Sequence, residues 1–176
     1  IICVLTSYIL PKNSLANNLN FDISQQNISI NSNFTGKDIL LFGTYNEEGE
    51  IIIIVEGPNE LLSVRKKSKI NGIWINSKSY TFSNVPAYYA LITSMPIKTI
   101  NKNTLKNNYD IESRLLKTKI INTSSISKQE KEAFRNALIR NKSKQKLYYE
   151  LDNSIKIKKN IFRTIVKLPT NAPEGK

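Results

Sequence analysis

Short runs of β-branched and aromatic residues, separated by turn-forming residues, are the feature that most restricts how this chain can fold. Residues 38–45, 51–55 and 88–94 are such runs, and the Ile and Val block at 51–55 predicts a strand buried on both faces. Short strands with turn signals every ~8–12 residues are typical of antiparallel sandwiches. The pattern therefore predicts a mainly β fold, with an immunoglobulin-like antiparallel β-sandwich over residues 20–97.

Two further features complete this predicted sandwich. A half-buried strand is indicated where apolar residues alternate with polar ones, at Ile28, Ile30 and Phe34. A hairpin is predicted from residues 72–76 and 79–83, with its turn at residues 76–78. Trp74 lies between Ile73 and Ile75, so we expect it to fill the core.

The character of the chain changes after the sandwich. Residues 98–126 are predicted to be a linker that contains a short helix at 110–117. Ser127 with Glu130 three residues later forms a capping-box pattern, which predicts the start of a longer helix. We interpret residues 127–176 as this helical insert, followed by the start of a second, truncated β-sandwich with strands at 147–151 and 160–168.

The amino terminus is predicted to be a partial signal peptide. Residues 1–10 are apolar, and the sequence Ser-Leu-Ala at 14–16 matches the small-residue pattern that signal peptidase cleaves. The run is too short to cross a bilayer, which takes about 20 apolar residues. Residues 1–16 therefore predict export from the cytoplasm.

The chain has no histidine, and Cys3 is its only cysteine. This composition excludes zinc sites built from Cys and His, and nucleophiles activated by histidine. We therefore predict no enzyme activity and assign no catalytic, cofactor-binding or metal-binding residue. Carboxylate chemistry stays open as an alternative, a cell-wall hydrolase that would use two of Asp38, Glu56, Glu150 and Asp152. The acidic turn with Glu47, Glu48 and Glu50 lacks the signature of a calcium loop.

The net charge of +12 attracts polyanions, although abundant Lys, Asn and Ile also indicate the codon bias of an AT-rich genome. Lys far outnumbers Arg, which does not favour nucleic acid as the partner. One possible patch for an anionic ligand lies near Trp74 and Tyr80 and consists of Arg65, Lys66, Lys67 and Lys69. The alternative interpretation of this patch is a charged edge strand that prevents aggregation.

Two other groups of side chains have structural interpretations. A basic stripe on the longer helix is predicted to be a solvated outer face; it contains Lys128, Lys131, Arg135 and Lys142. The pairs Tyr88-Tyr89 and Tyr148-Tyr149 are predicted to place one ring inside and one outside, as alternation on a strand requires.

Several segments together resemble a family of alphaproteobacterial proteins described as transmembrane proteins of unknown function. They are ISINSNFTGKDILLFG (28–43), EIIIIVEGP (50–58), VRKKSKINGIWIN (64–76), FSNVPAYYALITSMP (82–96) and LPTNAPEG (168–175). The resemblance implies a signal peptide, an extracytoplasmic β-rich region and a carboxyl-terminal membrane helix that is missing from this chain. It implies no catalytic residues and no cofactor.

These observations predict a non-catalytic extracytoplasmic interaction or accessory domain of a membrane-anchored bacterial protein. We expect it on the periplasmic side of the inner membrane, with an unknown protein partner in the cell envelope. The first alternative is a binder of anionic surfaces or nucleic acid through Lys-rich patches. The second alternative is the carboxylate-based hydrolase.

Overall fold

The computed structural model of the chain describes residues 19–45, 49–99, 110–121 and 126–175. The predicted signal peptide at 1–16 and much of the predicted linker lie outside these residues. The prediction of a mainly β fold is confirmed. The strands are β1 (Asn20–Ile23), β2 (Lys37–Thr44), β3 (Ile52–Glu56), β4 (Asn59–Ile70), β5 (Ile73–Pro86), β6 (Tyr89–Thr93), β7 (Lys119–Ile120), β8 (Tyr148–Leu151), β9 (Lys156–Lys158) and β10 (Ile161–Leu168). The helices are α1 (Ile111–Leu116) and α2 (Lys128–Lys144).

The described strands form three sheets, with the orders β1-β2-β10-β9, β3-β6-β8 and β4-β5-β7. Neighbouring strands are antiparallel, except that β6 and β8 are parallel. β10 pairs along the whole of β2, so strands from both ends of the chain share a sheet. The immunoglobulin-like detail is not confirmed, and the division into domains at residues 97 and 127 stays a prediction.

β6 lies at the centre of the hydrophobic core, and all five of its residues are buried. Its neighbour β3 is only half-buried, although we predicted burial on both faces. The reason is position: β3 is the edge strand of its sheet, and among the described strands it pairs with β6 alone. Phe82, Leu115 and Leu138 pack into the same core from β5, α1 and α2.

The predicted position of the hairpin turn is wrong. β4 and β5 are joined by Asn71 and Gly72, with φ of 49° and 86°, and Ile70 pairs with Ile73 across them. Positive φ at both central residues is the geometry that Asn-Gly favours in two-residue hairpins. The polar stretch at 76–78 lies inside β5 instead, where Ser77 is the extra residue of a β-bulge.

The strand predicted at Ile28, Ile30 and Phe34 is also wrong, because the chain from 24 to 36 forms no strand. A turn at Asn31 interrupts the alternating pattern. The Asn31 side chain accepts a hydrogen bond from the N–H of Asn33 at 3.1 Å, and its carbonyl accepts one from Phe34 at 2.9 Å. Local bonds of this kind offer the backbone an alternative to a β ladder.

Both predicted helices are confirmed, and each begins at a capping side chain. Asp110 accepts a hydrogen bond from the N–H of Ser113 at 2.6 Å, and Ser127 accepts one from Glu130 at 3.2 Å. These caps satisfy amide groups that the first helical turn leaves without partners. The pattern at Ser127 therefore marked the start of the longer helix correctly, although the Glu130 carboxylate pairs with Lys78.

Candidate functional site

The β4–β5 hairpin extends beyond the body of the protein, and its outer part is the candidate site. We define the hairpin tip as residues 67–76, which lie beyond the bulge at Ser77. All of them are exposed except Ser68, which is half-exposed. Val64 is the outermost buried residue of β4, at 7% exposure. Six residues separate it from the turn, so the ribbon projects by at most about 20 Å.

The tip ends in an apolar cluster that faces solvent. Ile70 is 51% exposed, Ile73 68%, Trp74 65% and Ile75 42%. The prediction that Trp74 fills the core is wrong, because the turn at residues 71 and 72 places it at the far end of the ribbon. By strand alternation the three isoleucines lie on one face of the ribbon, and Trp74 lies on the other face, opposite Lys69. Exposed apolar side chains gathered at one end of a ribbon are typical of sites that contact proteins or membranes.

Basic side chains lie beside the apolar cluster and continue behind it, since Lys69 is opposite Trp74 and the other cations are closer to the body. The predicted patch of Arg65, Lys66, Lys67 and Lys69 lies on β4, and all four residues are exposed. Lys78 on β5 pairs in register with Lys66, and Lys69 pairs with Trp74. Residues 61–85 contain no carboxylate. The structure therefore brings the predicted cations and Trp74 together on one ribbon.

Tyr80, which we had grouped with this patch, belongs to the body of the protein. Its ring meets that of Phe134 edge-on, with 4.7 Å between centroids. The base of the hairpin is fixed to α2 by the Lys78–Glu130 ion pair at 2.6 Å. The hydrogen bond to Glu130 raises the pKa of Lys78. The ribbon is thus anchored at its base while its tip projects.

Arg114 is the centre of a buried polar network in the body. Its guanidinium donates to Glu56, to the side chain of Asn59 at 2.8 Å and to the carbonyl of Asn84 at 3.3 Å. Only 11% of the Arg114 side chain is exposed. This network joins α1 to β3, β4 and β5, which is a structural task.

The predicted solvated stripe on α2 is wrong for two of its four residues. Lys142 is 6% exposed, donates to Glu60 and donates to the carbonyl of Ala87 at 3.2 Å. Arg135 is 8% exposed, and its Nε has no hydrogen-bond partner among the described residues. Burial lowers the pKa of Arg135. The prediction is wrong for Arg135 and Lys142 because their side of α2 packs against the body of the protein.

The prediction for the first tyrosine pair is wrong as well, because Tyr88 and Tyr89 are both buried. Tyr88 precedes β6, so strand alternation does not apply to it. Its hydroxyl bonds to that of Tyr149 at 2.8 Å and donates to the carbonyl of Lys167 at 3.0 Å. Burial and the bond to Tyr149 raise the pKa of Tyr88. In the second pair Tyr148 is buried and Tyr149 is half-buried, so the ring predicted to lie outside is only partly exposed.

With this geometry established, comparison with known proteins identifies the family. A family model described as "Putative transmembrane protein (Alph_Pro_TM)" matches residues 18–176. The chain belongs to this family. We found no match to it among curated proteins or solved structures.

The family description refers to a transmembrane protein. Within the described ranges, neither helix is long and apolar enough to cross a bilayer. The structure therefore places no spanning helix among these residues.

Several carboxylates of this family member form bonds that connect elements of the fold. Glu56 and Glu60 pair with Arg114 and Lys142. Glu150 lines an open cavity of about 600 Å³ together with Asp110. Burial raises the pKa of Glu150 and the like charge of Asp110 raises it further, whereas a hydrogen bond from the Ile111 N–H opposes the shift. Asp110 and Glu150 thus both accept hydrogen bonds from N–H groups at the start of α1. Glu150 also remains exposed to solvent.

The remaining acidic candidates are dispersed. Asp38 lies on β2 and Asp152 follows β8. Glu50 accepts a hydrogen bond from Ser94 at 2.9 Å, and Glu47 and Glu48 lie outside the described residues. Across the described part of the chain, no group of three or more His, Cys, Asp or Glu side chains could hold a metal ion.

Proposed function

We propose that this chain is a non-catalytic extracytoplasmic interaction module of a membrane-anchored protein. In this proposal the module lies on the periplasmic side of the inner membrane and makes its contact through the hairpin tip. The observation that carries the proposal is the exposed cluster of three isoleucines and Trp74 at the end of a projecting ribbon.

Energetics support a contact role for the tip. Apolar surface in water is unfavourable by about 25 cal/mol per Å², so large exposed clusters are rarely kept without a partner. A two-stranded ribbon is also only marginally stable by itself. The register of β4 and β5 nevertheless continues without further irregularity from the bulge to the turn. The ribbon is therefore built to hold an apolar end away from the body.

The buried ionisable groups support a non-catalytic module. Arg114, Lys142 and their two glutamate partners connect helices to strands. Asp110 and Glu150 accept hydrogen bonds at the start of α1. Of the four carboxylates that the hydrolase alternative would use, Glu56 pairs with Arg114 and Glu150 accepts a bond at the start of α1, so this alternative has less support than a contact role.

Site-specific photo-crosslinking in intact cells tests the contact surface. A photoreactive amino acid is placed at Ile73, and the control is the same substitution at Ile165, which is 47% exposed on β10. We expect crosslinked adducts at position 73 and few at position 165. Equal labelling at both positions, or none at the tip, would contradict the proposed contact surface.

A reporter fusion tests the location. The native gene is fused, after Gly175, to a reporter that is active only outside the cytoplasm, and in parallel to one that is active only inside it. The proposal expects activity from the first fusion alone. Activity of the cytoplasmic reporter would contradict an extracytoplasmic module.

A further inference from the structure

We propose that the hairpin tip inserts into the surface of an anionic lipid bilayer. This inference rests on the proposed function and names the partner of the tip. It is argued from the order of side chains along the ribbon, their charge and their exposure.

The order of residues along the ribbon matches the layers of a bilayer surface. Ile70 and Ile73 are outermost, next to the turn, and Trp74 and Lys69 form the following cross-strand pair. Lys67, and then Lys66 with Lys78, lie closer to the body. A tip that enters the surface would bring the isoleucines to the acyl boundary, the indole to the headgroup level and the cations to the phosphates.

The dimensions of the tip also fit the surface of a bilayer. Interfacial segments bury their apolar face about 5–10 Å into the headgroup and acyl boundary. The two pairs nearest the turn, Ile70 with Ile73 and Lys69 with Trp74, span two residues of each strand, or roughly 7 Å at the usual strand rise. Insertion to this depth would leave Lys67, Lys66 and Arg65 at the level of the headgroups, and the long Lys69 side chain can extend back to the same level.

The charge of the ribbon is complementary to anionic lipid. Residues 61–85 contain five cations and no carboxylate. Lys66 and Lys78 are directly opposite each other, an arrangement that is unfavourable without counter-charge. Glu130 supplies counter-charge to Lys78. None of the described carboxylates pairs with Arg65, Lys66, Lys67 or Lys69, so these four are available to lipid phosphates.

A protein strand added to the ribbon is the rival occupant, and the structure favours it less. Strand addition needs a regular edge with free backbone groups. Here the bulge at Ser77 interrupts one strand, and Lys66, Lys67 and Lys69 crowd the other. Lysines and bulges on edges are devices that oppose strand pairing. They do not oppose contact with a fluid layer of phosphates.

Trp74 makes the proposal directly measurable, because it is the only tryptophan of the chain. The whole chain is mixed with vesicles of phosphatidylglycerol and phosphatidylcholine in equal parts, and with pure phosphatidylcholine vesicles. We expect the emission to shift to the blue with the anionic vesicles only, and bromine-labelled lipid to quench it. Binding through the apolar residues 1–10 would not move the Trp74 signal.

Matched variants separate specific insertion from general charge. The pair Lys67→Gln and Lys69→Gln removes two charges from the tip, and the control removes two exposed charges from β9 with Lys156→Gln and Lys158→Gln. At about 1 kcal/mol per cation near an anionic surface, the tip pair should lower vesicle affinity roughly 30-fold. The β9 double variant should retain most of the parent's affinity for the vesicles. Ile73→Ser should weaken binding more than Ile165→Ser.

The outcomes are distinct. An unchanged Trp74 emission with anionic vesicles at low salt would overturn the proposal, as would equal losses in the tip and β9 pairs. Crosslinks from position 73 to protein alone, together with an unchanged emission, would overturn lipid insertion and leave the proposed function intact. Absence of tip-specific crosslinks in cells would remove the proposed function itself.

Discussion

Arg114 and Glu56 form a tight ion pair, in which the Nε and Nη2 of the arginine donate to the same carboxylate oxygen at 2.8 and 2.5 Å. The pair connects the short helix α1 to the end of β3. The arginine is buried and the glutamate is about one-third exposed. Such a pair holds two elements in place because removing either partner leaves polar groups without their hydrogen bonds.

We expect Arg114→Met to lower the free energy of unfolding by about 2–3 kcal/mol, because Glu56, Asn59 and the Asn84 carbonyl all lose a donor. Urea denaturation measures the change. The control is Arg163→Met, an exposed arginine on β10, which should change stability by less than ~0.5 kcal/mol. If the two substitutions lowered the free energy of unfolding by the same amount, the network around Arg114 would not contribute to stability.

Lys142→Met tests the buried end of α2. We expect a loss of about 1–2 kcal/mol, because the Ala87 carbonyl and Glu60 lose their ammonium partner while the methionine retains most of the packing. Lys144→Met is the matched control, since Lys144 is exposed in the same helical turn. Thermal denaturation measures the change. If Lys142→Met unfolded at the same temperature as the parent, the structural role of this ammonium would be contradicted.

Two glycines are expected to respond very differently to alanine. A Cβ at Gly43 would lie 2.1 Å from the Asn20 carbonyl and 2.8 Å from the Phe162 ring, so Gly43→Ala should destabilise by at least about 2–3 kcal/mol. A Cβ at Gly72 would meet nothing within 4 Å. Gly72→Ala therefore incurs only the strain of its positive φ, about 1 kcal/mol. Similar denaturation midpoints for the two variants would be the contrary result.

Stability should fall in alkaline solution as pH rises above 10. Burial raises the pKa of Tyr89 to about 12 and raises those of Tyr88 and Tyr148 as well. Between pH 10 and 12 the unfolded chain loses the Tyr89 proton while the folded chain retains it, so unfolding becomes more favourable. Tyrosinate absorbance should therefore rise together with loss of structure.

Tyr89→Phe provides the comparison for this pH dependence. We expect the variant to flatten the fall in stability by as much as ~1.4 kcal/mol per pH unit within that window. Measurements at about pH 8, where tyrosine is neutral in both states, give the baseline difference in packing. A variant whose stability keeps a constant offset from the parent at all pH values would refute the assignment.

Local signals in the sequence predicted several elements correctly. Ser127 and Glu130 marked the start of α2, and the β-branched and aromatic run at 88–94 marked β6. The same kind of signal was present for the hairpin, because Asn71-Gly72 is a strong two-residue turn. The polar stretch at 76–78 is a weaker turn signal, and the structure places it inside β5. The position of the hairpin turn was therefore predictable from the sequence.

Other features depended on tertiary contacts and had no local signal. The helical period places Arg135 and Lys142 on the same face of α2 as Lys128 and Lys131. It does not indicate which face of the helix packs against the body. Likewise, nothing near Arg114 indicates that Glu56, 58 residues away, is its partner.

The sequence alone determined the mainly β character, the two helix starts and the basic character of the segment around residues 65–69, because each depends on interactions between near neighbours. Only the tertiary structure decided that β10 completes the sheet of β2, that Arg114 pairs with Glu56 and that Arg135 and Lys142 are buried. Those features depend on which distant surfaces meet. Burial is a property of the whole packed chain, so alternation or charge along a short segment does not specify it.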